Sequence, residues 1–276
     1  MRKPYPLDVI VVDNGSADHT ARAVSQKYPG IAVIRLSENA GFAAGNNRGA
    51  ELAFRRGCAI IWFLNNDTFV DQGALSAVDA FDDPNVGLVG SKIYFAAGHE
   101  YHRTRYSGLE KGHVIWYAGG IIDWNNMYAS HRGVDLVDDG RFDDPVETDF
   151  ITGCSLFARA ETLRSTGMFD ERYFLYLEDV DLSLRVRRAG YRCVYYPKSV
   201  VWHKNASTSG RPGNRTQDYY LTRNRLLAGF RYAPLRTRFA LIREGIGVLL
   251  YGTPVRKRAV RDAFTFRYGK QYEPEI

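Results

Sequence analysis

Ala59-Ile60-Ile61-Trp62-Phe63-Leu64-Asn65-Asn66-Asp67 is a run of six apolar residues that stops abruptly in two amides and a carboxylate. A short apolar run bounded by polar residues fits a strand covered on both faces, as in parallel sheets. It is also far too short to span a bilayer. Upstream, residues 8–13 (DVIVVD) form a second buried-strand run. Asn14-Gly15-Ser16 then makes a turn, with Ser16 placed to cap a helix over 17–28. Pro29-Gly30 ends that helix, a strand over 31–36 follows, and a helix over 43–56 is stopped by Gly57. Downstream come a helix over 72–81 and a strand over 87–94. This alternation predicts an α/β fold with right-handed crossovers. Residues 95–149, rich in Gly, Tyr, His and Asp, read as long loops with one or two hairpins, where specificity resides. A strand over 147–158, a helix over 180–189 and short strands over 193–196 and 200–202 follow, with helical patterns beyond Gly210.

The 276-residue chain is 45% hydrophobic and 25% charged. These are ordinary globular values that exclude a disordered chain, a collagen-like chain or a disulfide scaffold. Cys58, Cys154 and Cys193 have no C-x-x-C spacing and cannot all pair, so buried thiols in a reducing compartment are the simplest reading. Residues 1–6 lack the apolar core of a secretory signal. The expected location is cytoplasmic, with the inner face of the cell membrane as a peripheral surface. Charge is uneven: residues 211–276 carry 14 Lys and Arg against 5 Asp and Glu, the first 210 residues 23 against 26. A basic tail on a slightly acidic body points to an anionic partner.

Five clusters could carry chemistry. Asp13-Asn14-Gly15-Ser16 sits at the carboxyl end of a strand, where open α/β sheets bind ligands. It reads either as a contact to a base or ribose or as an Asx turn with a helix cap. Asn39-Ala40-Gly41-Phe42-Ala43-Ala44-Gly45-Asn46-Asn47 opens a helix with small residues. It serves either close approach to a phosphate or tight helix packing, and it matches neither the P-loop nor the Rossmann spacing. Asn65-Asn66-Asp67 ends the most apolar strand in oxygen ligands of the kind that suit Mg²⁺ or Mn²⁺ beside substrate phosphates, or else forms a polar turn. Glu178-Asp179-Val180-Asp181 places three carboxylates in four positions at a helix start. They complement the helix dipole, with an Asp181–Arg185 pair, or supply a general base. His203, after Trp202, is either structural or an imidazole ligand.

Together and in this order these motifs resemble the family 2 glycosyltransferases of the GT-A fold, and more closely the bacterial rhamnosyltransferase-like members. The likeness runs from about Leu7 to about Leu227, over VIVVDNGS, NAGFAAGNN, FLNND, FLYLEDVDLSLRVRRAGY and VWH. The resemblance implies a mostly parallel sheet flanked by helices over residues 1–210, with a basic helical extension over 211–276. It implies a nucleotide-diphospho-sugar donor, a saccharide or lipid-linked saccharide acceptor and inversion at the anomeric carbon. Asp179 would be the catalytic base. Asp13, Asn14, Gly41, Asn46, Asn66, Asp67, Gly153, Cys154 and Glu178 would line the donor site. Asp67 and His203 would hold a divalent cation, Mg²⁺ or Mn²⁺. Asn65 stands where the family's metal motif has its first acid. Family members also begin with a strand and helix of which residues 3–7 resemble only the tail, so the sequence reads as N-terminally truncated. A non-catalytic sugar-nucleotide or glycan-binding remnant is the alternative function. Nucleic acid is not an expected partner, because only the tail is basic and aromatic.

In the tail, Phe239, Ile242, Ile246 and Leu249 fall at helical spacing with Arg236 and Arg243 elsewhere on the wheel. A helix of this kind lies in a membrane interface or packs on its own domain.

Overall fold

Strand β1 (Ile10–Asp13) runs parallel to β2 (Ala32–Arg35), with helix α1 (Thr20–Lys27) between them in sequence. The computed structural model describes residues 5–102, 104–204 and 214–273. Ser16 does not cap α1, which starts at Thr20 without a side-chain cap. Its backbone N–H is instead taken by Asp13 Oδ1 at 2.9 Å, which shapes the turn after β1. Helix α2 (Gly41–Arg55) buries a face of small residues, Ala43, Ala44, Gly45, Ala50 and Ala53, so that backbone can approach sheet closely.

Strand β3 (Ile60–Leu64) is the opening apolar run. It alternates half-buried and buried residues, and among the described residues it pairs only with β10 (Ser155–Arg159), in antiparallel sense. Both of its faces are covered, Ile61 and Phe63 by one apolar cluster and Ile60, Trp62 and Leu64 by others, but its neighbour is antiparallel rather than parallel. α2 packs against both β1 and β3, yet no backbone ladder joins those strands among the described residues.

The main sheet has seven strands. Its path is β3-β10-β5-β11-β4, with β4 being Thr68–Val70, β5 Val86–Phe95 and β11 Arg192–His203. β6 (Ile115–Tyr117) adds to β5, and β9 (Val146–Glu147) adds to β11. The longest ladder, β5–β11, is parallel, and the shorter strands pair antiparallel around it. The expected strand over 147–158 is broken into β9 and β10 by the Thr152–Cys154 loop. The two expected short strands merge into β11, with an irregularity between Tyr196 and Val200. The segment expected as a helix over 72–81 is a 3₁₀ helix, Ala74–Asp82. β7 (Gly120–Asp123) and β8 (Tyr128–His131) make a hairpin within the expected loop region. The outcome is α/β with helices against the sheet. These are α3 (Ala160–Thr166), α4 (Glu178–Arg188), α5 (Arg215–Tyr232), α6 (Leu235–Tyr251) and α7 (Pro254–Phe264).

One apolar core runs from Ile93, Tyr117 and Val180 into Leu227, Leu241 and Val260 of the tail helices. At its centre the Asp181 carboxylate is fully buried. Oδ2 accepts from Arg185 Nε at 2.8 Å, and Oδ1 from Arg231 at 2.9 Å and Tyr232 Oη at 2.5 Å. A buried charge is tolerated only when it is paired and fully hydrogen-bonded. Asp181→Ala would leave Arg185 Nε, one Arg231 N–H and the Tyr232 hydroxyl without this buried acceptor. We expect it to lower unfolding stability by about 3–5 kcal/mol, read as a shift in the urea midpoint, with Arg48→Ala on the surface as the near-neutral control.

Candidate active site

The site is built where three segments end beside one another. Asn65, just past β3, donates its backbone N–H to Cys154 O at 3.0 Å, just before β10. Gly153 N–H then reaches Asp179 Oδ2 at 2.9 Å in the first turn of α4. Val180 N–H binds the other oxygen, Oδ1, at 2.8 Å. Lys204 N–H, just past β11, donates to Asp67 O at 2.9 Å, which brings His203 Nε2 to 3.2 Å from Asp67 Oδ1. Asp67, Asp179 and His203 therefore meet at one rim of the sheet around the Thr152–Cys154 loop.

Asp179 is half-buried, and burial raises its pKa above the ordinary carboxylate range against the lowering effect of the two N–H donors. Glu178 is 5% exposed, its Oε2 is buried without a hydrogen-bond partner, and burial followed by the charges of Asp179 and Asp181 pushes its pKa well up. The Cys154 thiol lies between both halves of the site. Burial first, then Asp67 and Asp179, raise its pKa well above the usual thiol value. The third acid, Asp181, belongs to the core network described above, in agreement with its i,i+4 pairing to Arg185.

The segment preceding α4 is held in strained backbone. Phe174, Tyr176 and Leu177 have φ of 62°, 69° and 67°. Left-handed non-glycine residues cost energy and persist only when their surroundings enforce them. The enforcing residues come from α5. Asn224 donates to the carbonyls of Tyr173, Leu175 and Tyr176, and the fully buried Arg223 to those of Arg172 and Tyr173.

The glycine-rich opening of α2 wedges into the same segment. Gly41 has φ 88°, and a Cβ there would fall 2.4 Å from Phe174 O. Phe42 N–H donates to Phe174 O at 2.7 Å, and the Phe42 ring lies where a Cβ on Gly153 would point. The small residues of this segment thus serve close packing against the acid segment. Asn46 spends its amide on Phe42 O inside the helix. Asn14 bonds Gly41 O and Ala40 N–H, tying the turn after β1 to α2. Asp13 is buried, and its Oδ2 has no hydrogen-bond partner, with Arg35 Nε at 3.6 Å. Asn66 is exposed at the turn.

Two residues escape any reading of the sequence. The Trp116 ring lies between His131 and His203, at centroid distances of 4.4 and 4.6 Å. Burial depresses His131 to a pKa of about 4, so it is a neutral imidazole that bonds Trp116 O. Both come from the irregular middle of the chain, where no local spacing marks them.

Among the described residues no three His, Cys, Asp or Glu side chains gather as a cation cage. Asp67 and His203 do offer one oxygen and one nitrogen at close range, and His203 Nδ1 is buried without a partner. Such a mixed pair suits Mg²⁺ or Mn²⁺ held jointly with phosphate oxygens rather than by protein alone.

Comparison with known proteins bears on the family to which the chain belongs. The family model "Glycosyl transferase family 2" matches residues 2–160. The N-acetylglucosaminyl-diphospho-decaprenol L-rhamnosyltransferase of Mycobacterium tuberculosis is 31% identical over 248 residues, 84% of this chain and 79% of that protein. The pre-mycofactocin glycosyltransferase of the same organism is 30% identical over 206 residues, 71% of this chain and 37% of that protein. The crystal structure of GalNAc-T7 with UDP, GalNAc and Mn²⁺ aligns at a TM-score of 0.57 and 15% identity, over 78% of this chain and 41% of that one, a likeness of fold.

The thiols report on the integrity of this site. Cys154 and Cys193 are buried and Cys58 is half-buried. In the native protein we expect Ellman's reagent to modify Cys58 alone, with the other two reacting only after denaturation. Rapid native labelling of a Cys58→Ser variant would contradict the packing around the Thr152–Cys154 loop.

Proposed function

This chain belongs to glycosyl transferase family 2, and we propose that within it the protein is an inverting transferase. In this reading it moves a sugar, rhamnose by analogy with its Mycobacterium tuberculosis relative, from a nucleotide-diphospho-sugar to a hydroxyl of a lipid-linked saccharide in a cell-surface polysaccharide or glycolipid pathway. The observation that carries the reading is the Asp179 carboxylate, held by Gly153 and Val180 N–H groups beside the Asp67–His203 pair.

In this mechanism Asp179 accepts the proton of the acceptor hydroxyl. The new bond forms from that oxygen to the anomeric carbon as the bond to the diphosphate oxygen breaks and its electron pair leaves with the nucleoside diphosphate. A single displacement inverts the centre, and its oxocarbenium-like transition state depends on in-line placement. The Gly153 N–H and the strained segment before α4 fix the base against that line. Glu178 lies buried beside Asp179, with its Oε2 free of any hydrogen-bond partner, and is assigned to the donor side. Asp67 and His203 would hold the divalent cation, which neutralises charge on the departing diphosphate. Asp13, Asn14, Gly41, Asn46 and Asn66 are assigned to the nucleotide side, where Asn14, Gly41 and Asn46 act by packing, the Asn14 and Asn46 amides being spent on residues 40–42.

The test is a transfer screen with UDP-, GDP- and dTDP-sugars and Mn²⁺ or Mg²⁺. We expect Asp179→Asn to lower turnover by about 10²–10⁴-fold, the usual worth of a general base, with donor binding by calorimetry retained. Glu178→Gln, which keeps the shape of the buried side chain, should keep most activity. Since the folded pKa of Asp179 is raised, kcat/KM should fall with decreasing pH through a limb above pH ~4, the ordinary carboxylate value. Asp67→Asn and His203→Ala should weaken the metal dependence. Full turnover by Asp179→Asn would sink the assignment.

A further inference from the structure

Helix α6 is apolar on two opposite sides. Its inner side carries Thr237, Leu241 and Gly245. A Cβ on Gly229 of α5 would fall 2.2 Å from Leu241 Cδ1, and one on Gly245 would fall 2.7 Å from the Phe264 ring of α7. Two glycines thus let α6 sit tightly on its neighbours. At ~100° per residue, Leu235, Phe239, Ile242, Ile246 and Leu250 fall on one stripe facing away from that contact. All five are open, at 70%, 70%, 41%, 50% and 60% exposure, and Tyr251 beside them is 88% exposed. Leu249, which the sequence spacing groups with Phe239 and Ile246, turns to the core.

Scattered exposed apolar residues are ordinary, but a continuous stripe along a whole helix marks an interaction surface. Its borders are cationic. Arg236 and Arg243 lie along one side of the stripe on the same wheel. Both are exposed and make no ion pair among the described residues. At the far end Lys257 donates to Leu250 O, which places an ammonium beside Leu250 and Tyr251. Among the described residues no helix is long and apolar enough to cross a membrane, so this helix lies on a surface rather than through one.

We infer that α6 docks on an anionic lipid surface. Its stripe enters the acyl boundary, and Arg236, Arg243 and Lys257 meet lipid phosphates. Charge favours this occupant over a second copy of the chain, because stripe-to-stripe pairing would oppose two cationic borders. Anionic lipid supplies the complement, each cation near the surface being worth about fivefold in partitioning at low salt. Ala233-Pro234 alone separate α6 from α5, whose Arg223 and Asn224 clamp the segment before Asp179. Docking would therefore set the active site close to the bilayer. The inference stands on this surface and does not depend on the donor or acceptor assigned above.

The test uses the full chain in sedimentation with phosphatidylcholine vesicles with and without phosphatidylglycerol, at low and high salt. We expect binding to the anionic vesicles that falls with salt. Phe239→Ser/Ile246→Ser and, separately, Arg236→Glu/Arg243→Glu should each weaken it by more than about tenfold. These side chains are exposed, so melting temperature should be unchanged in both variants, which separates lost docking from lost folding. Wild-type protein that ignores anionic vesicles at low salt overturns the inference. So do variants that bind like wild type, or an apolar-stripe variant whose only effect is to turn a dimer into a monomer on sizing. Donor turnover measured without vesicles reports on the transferase reading independently.

Discussion

The buried carboxylate of Asp181 holds together what the rest of the molecule needs. It binds Arg185 one turn along α4, Arg231 and Tyr232 at the end of α5, and approaches the Tyr173 hydroxyl at 3.3 Å. α4 and α5 are far apart in the chain, and the carboxylate, fully buried, depends on both for its charged partners. The network therefore enforces one relative placement of α4 and α5. Burial raises the pKa of the Tyr232 hydroxyl, so it remains a donor to this carboxylate.

That placement makes the strained segment before α4 possible. Three non-glycine left-handed conformations within four residues would relax if the chain were free. Asn224 and Arg223 capture the carbonyls that those conformations point outward, and the Gly41 backbone closes the other side. The reward is the position of Asp179, whose carboxylate meets two N–H groups at a spot reached from β3, β10 and β11 together. The Cys154 thiol registers the convergence by sensing both Asp67 and Asp179.

The same packing explains why α6 shows an apolar face to solvent. Its inner side is consumed by α5 and α7 through Gly229 and Gly245, and no described part of the chain covers Phe239, Ile242 and Ile246. The basic tail seen in the composition is partly internal. Arg223, Arg231 and Arg225 are spent on carbonyls and carboxylates, and Arg236 and Arg243 remain at the surface.

Local pattern was enough for the strand and helix order, for the amides and acid that end β3, for the acids that open α4 and for the histidine after Trp202. Those depend on hydrophobic periodicity and on residue chemistry at element ends, which act over a few residues. Ser16 misled because the Asp13 carboxylate folds residues 13–16 into a turn and α1 starts only at Thr20, and β3 misled because an apolar run does not reveal whether the strand beside it runs parallel or antiparallel. Only the tertiary structure decided that Asp181 is structural while Asp179 faces the site. Both are acids in one turn, and their difference lies in Arg231 and Tyr232, about fifty residues away. It alone decided that Gly41 answers to Phe174, that His131 and Trp116 stand behind His203, and that Leu249 faces inward while Ile246 faces out. Contacts between distant segments are set by how helices and sheet pack, and no spacing along the chain encodes them.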